Sequence, residues 1–367
     1  MQTIFLSRND LLAPVQAVSG AVERRNTLPI LGNLLLEIQN GDLSVTATDL
    51  EIQVTARAKL TSTEALTATV SARKIQEILR SLPEETTVGI EVAESKFTLK
   101  SGRSRFNLQA LPAKDFPKLS QTEAPVAEFK LPQRQLKDIL QSVQYAMAHQ
   151  DIRYYLNGLL LSLTQEKLVA VATDGHRLAY TEISAREPLP TTEVILPRKA
   201  VSEIVRLLAE VDTEVIVSIR TGQVGIRFGD IEFATKVIDG KFPDYNKVIP
   251  IGYQKTISLD RGELQHALQR AAILSNEKFR GIRWIVSDNT LRILSANAEQ
   301  EEAQEELPVE YNQAPLDIGF NVGYLLDVLL NTKSKTVDFS FGDSNSSMLV
   351  TIPGDTAFKY VVMPMRI

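Results

Sequence analysis

Three stretches decide the fold when set side by side: IFLSRNDLLAPVQAVSGAV (Ile4–Val22), FKLPQRQLKDILQSVQYAM (Phe129–Met147) and ISLDRGELQHALQRAAIL (Ile257–Leu274). Each begins as a short alternating strand, passes a polar capping region, and continues with apolar residues at helical spacing. The stripes are Leu11, Leu12, Val15 and Val18 in the first stretch, and Leu136, Ile139, Leu140 and Val143 in the second. In the third they are Leu264, Leu268, Ala271 and Ala272. One pattern begun three times in one chain predicts an internal repeat.

The likeness runs on past the helix. NLLLEIQNGDLSVTATDLE (Asn33–Glu51), NGLLLSLTQEKLVAVATDGHR (Asn157–Arg177) and GIRWIVSDNTLRILSANAEQ (Gly281–Gln300) each read as strand, polar turn, strand. Their alternation suits a half-buried antiparallel pair. A second helix follows another strand, in VSARKIQEILRSL from Val70, LPRKAVSEIVRLL from Leu196 and FNVGYLLDVLL from Phe320. Each copy closes on strands that end in a similar corner, DFP at Asp115, KFP at Lys241 and VMP at Val362. The expected domains are residues 1–124, 125–253 and 254–367. Two helices and many short strands per copy, without a βαβ rhythm, predict an α+β fold. Triplication for size alone is the bland alternative, but tandem units usually build an extended or closed surface.

Size favours the closed surface. A unit of this length has a radius of gyration of about 14 Å and an equivalent sphere roughly 35 Å across. Three such spheres in a ring leave a hole of roughly 5 Å, and six leave one of roughly 35 Å. Duplex DNA is about 20 Å across. One chain is therefore too small to encircle a duplex, whereas two chains suffice.

Composition sets further bounds. The 367 residues are 44% hydrophobic and 23% charged, enough for substantial cores. Net charge is −5, which argues against indiscriminate wrapping of nucleic acid but leaves room for a local basic surface. The six helical windows carry more Lys and Arg than Asp and Glu, so the acidic excess lies elsewhere. There are no cysteines, which excludes disulfides and thiolate metal sites. The start MQTIFLSRNDLLAPV lacks a signal pattern, and no apolar run approaches eighteen residues. A soluble cytoplasmic protein with no membrane partner is the expectation.

Several motifs then carry a resemblance: TLPILGNLLLEI (Thr27–Ile38), TDLE (Thr48–Glu51), SGRSRF (Ser101–Phe106) and MAHQDIRYYLNG (Met147–Gly158). VATDGHRLA (Val171–Ala179), FPDY (Phe242–Tyr245), AILSNEKFRG (Ala272–Gly281) and YVVMPMRI (Tyr360–Ile367) follow in order. Along essentially its whole length the chain resembles the β-subunit family of bacterial DNA polymerase III. The resemblance implies three clamp domains per chain and a head-to-tail homodimeric ring, helices lining the pore and sheets outside. It implies a replication processivity factor that encircles double-stranded DNA without sequence specificity, slides, and tethers other proteins through a hydrophobic peptide pocket. The implied partners are the DNA polymerase III alpha subunit, clamp-loader subunits, translesion polymerases, mismatch-repair proteins and ligase, in a nucleoid-associated cytoplasmic setting. A monomeric nucleic-acid-binding protein is the alternative.

Three surfaces follow from the resemblance. DNA would be touched by Arg25, Arg73, Gln150, Tyr154 and Tyr155, since Arg forks suit phosphates and aromatic rings stack on bases. The tyrosines also fit a core, and Arg24 with Arg25 also fits a solvated loop. The dimer seam would set Glu299, Glu301, Glu302 and Glu305, in the acidic run EQEEAQEE, against the partner's Lys74, Lys96, Arg103 and Arg105. Ile273 and Leu274 would pack on Phe106 and Leu108 and supply most of the cohesion, because exposed ion pairs contribute only about 0–1 kcal/mol each. Such an acidic run also serves as a solvated edge that discourages aggregation. The pocket would combine Leu156, Thr173, Gly175, His176, Arg177 and Leu178 with Pro243, Val248, Asn321 and Tyr324. Its remaining members would be Val361, Met363, Pro364, Met365 and Arg366, flexible methionines suiting a site for several short motifs. Asn246 and Lys247 stand where the family often carries two basic residues.

Enzyme readings find little support. There is no G-x-x-x-x-G-K-[ST] loop and no G-x-G-x-x-G after a strand. His149, His176 and His266 lack metal-ligand spacing, so no metal or cofactor is expected. Asp174-Gly175-His176 reads as a turn between strands, as do Asp49 and Glu51.

Overall fold

The structure is a computed structural model that describes residues 3–23, 28–62, 64–93, 95–120, 123–185 and 187–366. The repeat is present three times in one order, strand–helix–four strands–helix–three strands. The first copy holds β1 (Ile4–Ser7), α1 (Arg8–Val18), β2 (Asn33–Gln39), β3 (Asp42–Thr48), β4 (Ile52–Lys59), β5 (Leu66–Ser71), α2 (Ala72–Ser81), β6 (Thr87–Ala93), β7 (Lys96–Ser101) and β8 (Ser104–Gln109). The second holds β9 (Ala127–Pro132), α3 (Gln133–Gln144), β10 (Gly158–Leu163), β11 (Lys167–Thr173), β12 (Arg177–Ser184), β13 (Thr192–Pro197), α4 (Arg198–Leu207), β14 (Glu214–Arg220), β15 (Gln223–Phe228) and β16 (Ile231–Lys236). The third holds β17 (Lys255–Asp260), α5 (Arg261–Ile273), β18 (Gly281–Ser287), β19 (Thr290–Ala296), β20 (Glu302–Pro308), β21 (Leu316–Asn321), α6 (Val322–Leu330), β22 (Thr336–Phe341), β23 (Met348–Ile352) and β24 (Asp355–Val362).

The helices form where the apolar stripes place them, and every stripe residue named from the sequence is buried. Full burial of a Leu or Val stabilises by about 1.5–3 kcal/mol, so these stripes anchor each helix to its sheet. Local chemistry fixes the starts. Ser7 accepts a hydrogen bond from the Asn9 amide at the head of α1. Asp260 accepts from the Gly262 and Glu263 amides at the head of α5, and Asn321 from the Gly323 amide at α6.

The chain resolves into two compact units, residues 1–137 with 202–237, and 138–201 with 238–367. The middle repeat is therefore shared between them. The first unit contains an eight-stranded antiparallel sheet, β5-β2-β3-β4-β16-β15-β14-β9, and a four-stranded sheet, β1-β6-β7-β8. The second contains β13-β10-β11-β12-β24-β23-β22-β17 and the four-stranded sheet β20-β19-β18-β21. Both large sheets arise in one way, by an edge strand of one repeat pairing with the last strand of the next. In the first unit β4 pairs with β16, Gln53 opposite Ala234 and Ala56 opposite Ile231. In the second β12 pairs with β24, Leu178 opposite Val361. The strands equivalent to those partners, β20 and β8, have a neighbour on one side only within their sheets.

Candidate functional site

The second unit carries a cleft of about 180 Å³ on the outer face of the β12–β24 seam. Its rim is built by the β11–β12 turn. The Thr173 hydroxyl donates to the Arg177 carbonyl at 2.6 Å and accepts from the Gly175 amide at 3.1 Å. Asp174 Oδ1 accepts from the amides of His176 at 2.9 Å and Arg177 at 3.0 Å. Gly175 sits at φ +90°, a region that favours glycine. A Cβ there would lie 2.9 Å from the Arg153 guanidinium, so the glycine also makes room for Arg153. That guanidinium donates to both oxygens of Asp151, at 3.0 and 2.8 Å, and to the Asp174 carbonyl at 3.1 Å. These side-chain and backbone hydrogen bonds from Arg153 lower the Asp151 carboxyl to about 2.

The floor is apolar. Leu178, Val361 and Phe242 belong to a buried cluster with Leu160, Val169, Val171, Tyr180 and Ile195. Leu156, Pro243, Tyr245, Val248 and Met363 line the cleft around it, and the Met363 amide donates to the His176 carbonyl at 2.9 Å. Beneath the wall lies Arg177, its side chain 9% exposed. Its guanidinium donates to Asp174 at 3.1 Å, to Asp327 at 2.5 Å and to the Tyr145 carbonyl at 2.7 Å. It also stacks 4.6 Å from the Tyr324 ring centroid. Burial opposes the charge, but Tyr360 and the Asp327 and Asp174 carboxylates outweigh it and raise the pKa. With its donors engaged inside the protein, Arg177 ties α6 to the pocket wall.

Of the residues expected in the pocket, Leu156, Thr173, Gly175, His176, Arg177, Leu178, Pro243, Val248, Val361 and Met363 line this cleft. Asn321, Tyr324, Pro364, Met365 and Arg366 lie outside its lining. Asn321 caps α6, Tyr324 stacks on Arg177, and the Met365 amide bonds the Gly319 carbonyl at 2.8 Å. Lys247 pairs with Asp244 at 3.1 Å. Arg153, Phe242 and Tyr245 also line the cleft, and although they fall within the motifs FPDY and RYYL, no spacing in the sequence marks them as pocket residues.

Of the residues expected to meet DNA, Arg73 belongs to the first unit and Gln150, Tyr154 and Tyr155 to the second. Arg25 and Arg24 lie outside the described residues. Arg73 projects from α2 and pairs with Glu77 at 2.8 Å. Gln150 adopts φ +56°. Tyr154 is 59% exposed, whereas its neighbour Tyr155 lines the apolar cleft, their rings meeting edge-on at 5.9 Å.

The strands β8 and β20, with one neighbour each, carry five of the twelve expected seam residues, and the others lie on α2, β7, α5 and the turns. On β8, Phe106 and Leu108 lie opposite the buried Leu99 and Phe97 and so face the core side. Arg105 lies opposite Lys100, on the outer face. On β20, Ala303, Glu305 and Leu307 lie opposite Ser295, Ile293 and Leu291 and face the core side, while Glu302 and Glu306 face outward. Ile273, at the end of α5, is 77% exposed and Leu274 half-buried. Lys74, Lys96 and Arg103 are exposed, as are Glu299 and Glu301 in the turn before β20. Among the described residues, no group of three or more His, Cys, Asp or Glu side chains is arranged to hold a metal, and no helix is long and apolar enough to cross a membrane.

Tandem α+β repeats fused sheet to sheet, with an apolar cleft of about 180 Å³ on one seam, form the architecture of a DNA-clamp type of protein. Sequence models of the DNA polymerase III beta subunit match throughout: the N-terminal domain over residues 2–120, the central domain over 130–244 and the C-terminal domain over 246–366. The beta sliding clamp of Escherichia coli K12 is 46% identical over 363 residues, 99% of each chain. That of Pseudomonas aeruginosa PAO1 is 46% identical over 364 residues, again 99% of each. A solved DnaN sliding clamp from Pseudomonas aeruginosa bound to griselimycin superposes with a TM-score of 0.95 at 46% identity, covering 100% of this chain and 99% of that one. The Caulobacter crescentus pol III beta structure gives 0.93 at 36% identity, covering both chains fully. The chain belongs to the DNA polymerase III beta-subunit family, the sliding clamps that serve as processivity factors in DNA replication. Family membership does not favour the monomeric alternative.

Proposed function

We propose that two copies of this chain pair β8 of each with β20 of the other, closing a ring that encircles duplex DNA and slides along it. The observation that carries this reading is the pair of edges left over by the repeat. The equivalent edges pair at β4–β16 and β12–β24, and the same rule applied once more joins β20 to a second copy's β8. The three domains would be residues 1–124, 125–253 and 254–367. Arg25, Arg73, Gln150 and Tyr154 would meet phosphates and bases without reading sequence, as weak cationic contacts do.

The apolar cleft would take short peptide motifs of the polymerase alpha subunit, clamp-loader subunits, translesion polymerases, mismatch-repair proteins and ligase. One site per chain, two per ring, would let partners exchange by local concentration. The ring itself would do no chemistry, and it would work in the cytoplasm on the nucleoid. Retention of the loaded protein on DNA tests the reading. The protein should stay on a closed circle and leave within minutes once that circle is cut; equal loss from both forms overturns encirclement.

A further inference from the structure

Arg270 and Glu305 form a two-pronged ion pair, Arg270 Nε to Oε1 at 2.7 Å and Nη2 to Oε2 at 2.5 Å. The pair joins α5 to the edge strand β20, side chains 56% and 21% exposed. Glu305 is an oddity of placement, because it points to the core side of a strand whose core-side neighbours are Ala303 and Leu307. The repeat supplies an internal control. Register aligns Glu305 with Ala56 of β4 and Thr181 of β12, which oppose Val45 and Ala170 as Glu305 opposes Ile293. Aligning the three helix-opening stretches on Leu11, Leu136 and Leu264 sets Arg270 against Ala17 and Ser142. Both members are small and uncharged at the two seams made within the chain. Both are charged, together, only in the third copy, where the strand equivalent to β4 and β12 has no second neighbour within its sheet.

We propose that Arg270 is a positioning residue of the pairing edge: it neutralises Glu305 in cis, so that a carboxylate can lie on the apolar face of the seam and keep that seam reversible. The proposal rests on the β8–β20 seam described above. An inward-pointing charge discourages promiscuous pairing of an open edge. Held by its own arginine, it still admits the intended edge, because the pair enters the interface already compensated. Phe106 and Leu108 of the partner subunit would meet this face. Replacing a compensated buried pair by small apolar residues is commonly neutral or stabilising, whereas removing one member strands a charge. The ion pair thus makes the seam between copies weaker than the seams within the chain.

Sedimentation of full-length variants tests this. Arg270→Ala should raise the dimer dissociation constant about 30-fold. R270A/E305A, which copies Ala17 and Ala56, should bind at least as tightly as the native chain and dissociate more slowly. Arg270→Lys should recover most of the loss. Thermal unfolding of the isolated monomers controls for folding and should differ little among variants. Native affinity in Arg270→Ala, or a double variant as weak as the single one, overturns the proposal. A native chain that stays monomeric at micromolar concentration, or a dimer indifferent to Ile273→Ala, instead removes the seam on which it rests.

Discussion

The outer faces of the two internal seams share one backbone plan and differ in chemistry. At β4–β16 the outward positions are Ser44, Thr46, Gln53 and Thr55, and they line a polar groove of about 680 Å³ with Glu37, Arg57, Lys118 and Glu232. At β12–β24 the equivalent positions are Val169, Val171, Leu178 and Tyr180, which belong to the buried apolar cluster that presents Leu178, Phe242 and Val361 to the cleft. The turns share the same threonine and aspartate caps. Thr48 donates to the Ile52 carbonyl as Thr173 does to that of Arg177, and Asp49 accepts from the amides of Glu51 and Ile52 as Asp174 does from His176 and Arg177. Backbone geometry therefore does not make the pocket. A handful of outward side chains does, because an apolar anchor gains only where it leaves water for an apolar surface.

Exchanging those side chains should break the contrast with the largest effect. V171T/L178Q imports the first seam's chemistry into the cleft. It should weaken binding of a polymerase-derived peptide about 100-fold, since burying one large apolar side chain contributes about 1.5–3 kcal/mol. Calorimetric titration checks this, and near-native affinity would detach the pocket from its floor.

Next in size is the charge network, which the first unit lacks: the position of Arg177 is held there by Ile52. Asp327→Asn leaves the guanidinium short of a counter-charge and should cost the second unit about 1–2 kcal/mol, discounted because Asp327 is partly exposed. Trp284, the chain's one tryptophan, is buried there against Phe320 and Phe339 and reports the loss in denaturant unfolding.

The turn glycine gives a smaller effect. Leu50, at φ +77°, shows that the turn itself accepts a side chain. Gly175→Ala should nevertheless cost about 1 kcal/mol and displace Arg153, lowering peptide affinity about fivefold. The reciprocal Leu50→Gly should leave affinity unchanged.

Smallest is the response to acid. The Asp151 carboxyl is depressed to about 2, below the ordinary value of about 3.9. Its contribution is complete above the ordinary value and is lost as pH falls through about 2. Peptide affinity should therefore show no Asp151 step between pH 7 and 5, and NMR titration should place its midpoint near 2.

The sequence made the repeat legible because apolar residues at helical spacing recur on a fixed plan, as Leu11, Leu136 and Leu264 do. It did not reveal that the large sheets cross repeat boundaries, since strand-edge pairing such as Gln53 with Ala234 is carried by backbone hydrogen bonds over long separations. Most of the cleft was legible through motifs rather than periodicity. Tyr154 and Tyr155 could not be separated because they sit in a short 3-10 turn, Tyr154–Asn157, where neither helix nor strand alternation applies. The in-chain partner of Glu305 was hidden for a similar reason, Arg270 lying on another element.

Covalent closure of the seam is the sharpest test of encirclement. The internal seams fix the expected register: Gln304 opposite the partner's Arg105, as Thr55 lies opposite Glu232. The chain has no cysteines, so R105C/Q304C carries the only thiols. After loading onto a nicked circle and oxidation, a doubly cross-linked dimer should stay with the circle in denaturing detergent and be freed by cutting the DNA. Protein that strips from the intact circle under those conditions would contradict encirclement.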